Sequence, residues 1–271
     1  MTASPTRDFE TRTDLPDATA AALRRLLVAI ADTKLLLGYH YGEWTFGPPE
    51  LEAAVAGCSM CQTELGHVRL LHGILKSHFG DDPERLVEDR ASNEFASVAF
   101  LDNALTDWAQ CVAANFVVDL AVTRLLHSLR ASSFTPLRMS IGKMIEEERH
   151  HAHHGLGWCR TLATKNEQCR IAMQDAAQQA LDSIVQWVGP PDDPDDRAFV
   201  EAGIKAAPNS DILQDFLADI DQTTSAVGVL LHPGPSPQGG WSSATRRSTE
   251  GGPDDEILYH LRGSKNAIFR L

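Results

Sequence analysis

The sequence predicts an all-α fold in which four long helices form a bundle and shorter helices follow. Three observations carry this. Apolar residues recur at helical spacing through most of the 271 residues. Strand signals are scarce, with no sustained two-residue alternation and no Asn-Gly hairpin. Gly/Pro clusters at Gly47-Pro48-Pro49, Gly80-Asp81-Asp82-Pro83 and Gly189-Pro190-Pro191 divide the helical stretches.

The first helix is expected from Asp17 to Trp44, opening on an Ala/Leu/Arg-rich run of high helix propensity, and the second from Pro49 to His78. A polar segment to Glu94 leads to a third helix over Ala96 to Leu129, with a break near Asp102. The fourth spans Leu137 to Thr164. Further helices are expected at Glu167–Val188, Asp195–Ala206, Asp211–Leu231 and Asp254–Arg262, the last after a Gly/Pro/Ser-rich loop over 232–253. The expected organisation is a flexible N-terminus over 1–16, a helical domain over 17–231, and a loop with a short closing helix over 232–271.

Net charge is −13, so the positive footprint of a nucleic-acid binder is missing. No secretory pattern opens the chain and no uncharged apolar run reaches bilayer length, which points to a cytoplasmic protein that engages no membrane. Five cysteines in a chain this long do not suggest a disulfide scaffold, and Cys58-x-x-Cys61 lies within a helical pattern as small packing residues. No GxGxxG or four-cysteine spacing marks a flavin, dinucleotide or iron–sulfur site.

Two Glu-x-x-His motifs carry the chemistry. One is Glu64-x-x-His67 on the second helix. The other lies in Glu146-Glu147-Glu148-Arg149-His150-His151 on the fourth, as Glu147 with His150 or Glu148 with His151. At i, i+3 both side chains share a helical face and can hold one metal. On the third helix Asp119 shares a face with Val112, Phe116, Val122 and Leu126, and Asn115 is that stripe's other polar member. A lone carboxylate there costs ~5 kcal/mol, which a metal would offset. Two Glu-x-x-His helices and a carboxylate between them follow the recipe of ferritin-like metal-carboxylate bundles.

These residues resemble the phenylacetyl-CoA epoxidase family of ring-epoxidising multicomponent monooxygenases, over about Leu23 to Leu162. Glu64, His67, Asp119, Glu148 and His151 are similar to metal ligands of its catalytic subunit, which selects the Glu148/His151 register. Gly42-Glu43-Trp44, Pro49-Glu50-Leu51-Glu52 and Gly157-Trp158 instead resemble its structural, non-catalytic subunit. One position departs: Lys34 falls where the catalytic subunit has a first-helix glutamate, with Asp32, Glu43 and His40 as nearby substitutes.

The resemblance implies a non-haem di-iron oxygenase component that activates O2 to oxidise an aromatic or other acyl-CoA substrate, fed by a separate reductase and assembled as a homo- or hetero-oligomer. Two irons are implied, or one if Lys34 abolishes the first site, and manganese suits the same ligands. No catalytic side chain beyond the ligands is assigned. The alternative is the non-catalytic structural subunit of such a monooxygenase, bound to a homologous catalytic chain. At Lys34 three states stay open: two metals with a substitute ligand, one metal at the Asp119/Glu148/His151 half-site, or a salt bridge with no metal.

Overall fold

In the computed structural model, which describes residues 8–269, the chain is all α-helical and no strand occurs among the described residues. The bundle consists of α1 (Asp17–Glu43), α2 (Leu51–Ile74), α3 (Trp108–Ser128) and α4 (Thr135–Lys165). α5 (Glu167–Val188), α6 (Pro194–Glu201), α7 (Asn209–Thr224) and α8 (Asp255–Leu261) follow.

α1 and α2 form an extensively packed antiparallel pair, because each is apolar along the face it turns inward: Leu23, Leu27, Ile30 and Leu37 from α1 and Met60, Val68 and Leu71 from α2 are all buried. α3 is the central helix. It is the one helix among the described residues long and apolar enough to cross a membrane, and 83% of that window is buried inside the fold. Its apolar character therefore belongs to the core, since α4, α5 and α7 all pack on it.

The third helix starts later than expected. Residues 96–107 form loop and short 3-10 turns, and α3 opens at Trp108 behind Asp107, whose side chain caps the Gln110 amide at 2.9 Å. The helix-compatible stretch before it is taken by tertiary contacts. Buried Asp102 pairs with Arg247, and Arg247 Nη2 also donates to the Ser97 carbonyl at 2.9 Å. α6 likewise ends at Glu201 rather than Ala206. Gly203 takes φ +69°, and the amides of Gly203 and Ile204 close back on Val200 and Phe199 at 3.1 and 2.8 Å, a Schellman ending.

The segment expected as a loop over 232–253 is irregular, and it is tied to the body. Arg246 is buried, stacks over Trp187 and donates to the Trp187 carbonyl at 2.7 Å. Of the N-terminal stretch expected to be flexible, residues 1–7 lie outside the described residues. Residues 8–16 are docked on the start of α4, with Phe9 bridging backbone to Ser133 and Thr135.

Candidate metal centre

α3 is not a regular α-helix throughout: Ala114–Asp119 forms a π-type turn. Such a turn inserts an extra residue into the ladder and re-aims the side chains at its end. Here it carries Asn115 and Asp119, both buried, to the middle of the bundle. The close approach of α4 to this turn requires Gly155, where a Cβ would sit 2.7 Å from Asn115 Oδ1 and 3.0 Å from the Phe116 backbone.

All five residues selected from the sequence meet there. Glu64, His67, Asp119, Glu148 and His151 are each at most 2% exposed. Glu64, Asp119, Glu148 and His151 each offer an atom within 4.8 Å of the others, close enough to hold a metal ion. The Glu148/His151 register faces inward. Glu147 stays at the rim and accepts from His67 Nε2 at 2.9 Å, and His150 is exposed.

Lys34 lies at the centre of this cluster with its side chain fully buried. Its ammonium donates to Glu148 Oε1 at 2.5 Å, Asp119 Oδ1 at 2.6 Å and Glu64 Oε1 at 3.1 Å. On the other side of the same carboxylates, His151 Nδ1 approaches Asp119 Oδ2 at 2.9 Å, Glu64 Oε1 at 3.0 Å and Glu148 Oε2 at 3.4 Å. Asp119 and Glu148 therefore each span two cationic groups, Lys34 on one oxygen and His151 on the other.

The substitutes considered for the missing glutamate are engaged elsewhere. Asp32 is buried in a pair with Arg90 and accepts the Ala96 amide. His40 Nε2 meets the Leu101 carbonyl at 2.9 Å, and Glu43 is exposed. Three further groups support the cluster. The Tyr41 hydroxyl donates to Asp119 Oδ2 at 3.1 Å, Thr123 Oγ1 to Glu148 Oε2 at 3.2 Å, and Glu147 steadies His67 as above. Thr123 could have been found, since it follows Asp119 by one helical turn.

The electrostatics follow from this geometry. Burial disfavours a charged lysine, yet Asp119, Glu148 and Glu64 outweigh it and hold the Lys34 ammonium well above its usual range. Burial also opposes charge on the histidines. Carboxylate hydrogen bonds reverse that, lifting His67 to about 9 and His151 to about 12. Glu148 is held well below the usual carboxylate range, because Lys34 and the two histidines overcome its burial. Asp119 rises to about 6, by burial and then by its two neighbouring glutamates, and is still ionised at neutral pH. Three carboxylates thus face one ammonium and two imidazolium groups, and the buried cluster is neutral by itself.

That balance decides which ions the donor set fits. Two divalent ions bring about +4. With neutral imidazoles, three carboxylates and Lys34 supply −2, and a two-ion site would keep an uncompensated positive charge in the core. The residues present do not fit a metal pair while the Lys34 ammonium stays among them. One divalent ion balances the set if both histidines give up their protons. His67 Nδ1 faces both glutamates, 3.2 Å from Glu148 Oε1 and 3.8 Å from Glu64 Oε2.

An all-α bundle with two inward Glu-x-x-His motifs and a carboxylate between them on a π-type turn is a ferritin-like protein with a metal-type site. More particularly, the family model of the phenylacetic acid catabolic protein matches residues 1–252, and the chain belongs to that family. No curated protein matched the chain.

Proposed function

We propose that this chain is the non-catalytic structural component of a multicomponent monooxygenase of the phenylacetyl-CoA type, working beside a homologous catalytic chain. One observation carries the reading: the Lys34 ammonium lies within 3.1 Å of all three buried carboxylates, where a first metal ion would need them. An ion cluster that is complete without metal accounts for five ligand-type residues lying together in the core, since removing any one strands the others there. The segments that resemble the structural subunit support the same reading. Trp44 and Trp158 both pack on Trp108, with ring centroids 5.7 and 5.1 Å away, and knit the end of α1 to α3 and α4.

The test is metal content per chain, by mass spectrometry, after expression with added iron and purification without chelator. A metal-free chain is expected, because Lys34 and the two protonated histidines already balance the three carboxylates. Lys34→Glu, which supplies a fourth carboxylate and removes the ammonium, is expected to take up metal. Two ions per wild-type chain would overturn the proposal.

A second reading is favoured by the four donors that lie within 4.8 Å of one another. One iron or manganese ion at Asp119, Glu148, His151 and Glu64 would keep the cluster neutral with Lys34 in place. The chain would then be an oxygenase component acting on an acyl-CoA with a separate reductase, and one ion per chain would be found.

A further inference from the structure

α2 buries one face in the bundle through Ala53, Gly57, Met60, Glu64, His67, Val68 and Leu71, and turns the opposite face outward. That outer face has a pattern of its own. Leu51, Val55, Cys58, Gln62, Leu65 and Arg69 are all exposed and follow one another at intervals of four, three, four, three and four residues. This is the spacing of a helix–helix seam, which the α1 contact does not use. Its apolar members are unusually bare for a folded chain: Leu51 is 77% exposed, Val55 63% and Leu65 44%, and Phe46 just before the helix is 99% exposed. Grouped apolar exposure of this kind marks an interaction surface.

The seam is complementary to itself run backwards. In an antiparallel pairing centred between residues 58 and 62, Val55 faces Leu65 of a second copy and Cys58 faces Gln62. Leu51 faces the stem of Arg69. The same register sets the carboxylates of Glu50 and Glu52, at the start of α2, beside the guanidinium of Arg69 at the far end of the other copy's seam. The apolar pairs and the charges match in one register, and each match occurs twice about a two-fold axis. The seam from Leu51 to Arg69 runs ~27 Å, long enough with Phe46 to anchor an interface of standard size.

We infer that the outer face of α2 is a homotypic docking surface, on which a second copy of this chain packs antiparallel about a two-fold axis between Cys58 and Gln62. The inference goes beyond the proposed function and does not rest on it, because the seam lies on the side of α2 opposite the buried cluster.

The test is sedimentation velocity of the full-length protein over a micromolar concentration series. The wild type is expected to sediment as a dimer. The double variant Val55→Glu/Leu65→Glu is expected to be monomeric, with association weakened roughly a hundredfold or more, and to keep the wild-type helical circular dichroism. Glu52→Lys alone should weaken the dimer, and adding Arg69→Glu should restore it, a rescue that a misfolded chain cannot give. Gln62→Cys under mild oxidation should yield a covalent dimer through Cys58. A wild-type monomer at ~100 µM, well above the range of stable dimers, would overturn the inference. So would a dimer indifferent to Val55→Glu/Leu65→Glu, or a seam that binds only a homologous subunit. Metal content is a separate readout, so this inference and the proposed function fail independently.

Discussion

Replacing Lys34 by methionine keeps the length of the side chain and removes its charge. In the wild type the ammonium is fully buried and donates to three carboxylates within 3.1 Å. Without it, three buried carboxylates face two imidazolium groups, and one negative charge is left unbalanced. Breaking a buried ion cluster from one side costs about 3–5 kcal/mol. Part of this is relieved if Asp119, already raised to about 6, takes a proton. For a domain of this size the loss corresponds to a melting temperature lowered by roughly 5–9 °C. The assay is thermal unfolding followed by circular dichroism, with and without Mn2+. The variant is expected to melt lower than the wild type and to recover stability with the cation, which replaces the missing charge, while the wild type responds little. A variant that melts within about 2 °C of the wild type and ignores the cation would refute the reasoning.

Three other outcomes follow from the same geometry. His67 is raised from 6.5 to about 9, so its proton stabilises the fold fully below pH 6.5, and that stability is lost as pH rises through about 9. The rise is worth roughly 3 kcal/mol, and unfolding measured from pH 6 to 10 should show the decline in the wild type and a flatter profile in His67→Gln. Gly155→Ala would press a methyl group onto Asn115 and the Phe116 backbone, and the clash should outweigh the gain in helix propensity by about 1–2 kcal/mol in urea unfolding. Arg247→Ala would leave Asp102 buried without its cation and release the 232–253 segment. A loss of about 3–5 kcal/mol and faster proteolysis within that segment are expected.

The helices and the five clustered residues were legible because both rest on local spacing. Glu64 with His67 and Glu148 with His151 lie one helical turn apart, and Asp119 interrupts an apolar stripe. Local spacing could not choose between Glu147/His150 and Glu148/His151. That depends on how α4 is rotated against α2, which Gly155 and the π-type turn of α3 set together. The turn itself leaves no composition signal. The start of α3 was misplaced for a related reason: residues 96–107 tolerate helix, but Asp102 is claimed by Arg247, 145 residues away. Lys34 was visible as a departure from the family pattern, and a salt bridge was among the states left open. Only the fold shows that its ammonium reaches all three carboxylates at once.

The central claim is that the Lys34 ammonium holds a place that a metal ion would otherwise take. The most direct test is a crystal structure of the wild-type protein soaked anaerobically with ferrous iron, with anomalous scattering recorded at the iron edge. The account predicts Lys34 Nζ in density among Glu64, Asp119 and Glu148, with no iron peak on its side of the carboxylates. Two anomalous peaks bridged by Glu64 and Glu148, with Lys34 swung out of the cluster, would contradict it.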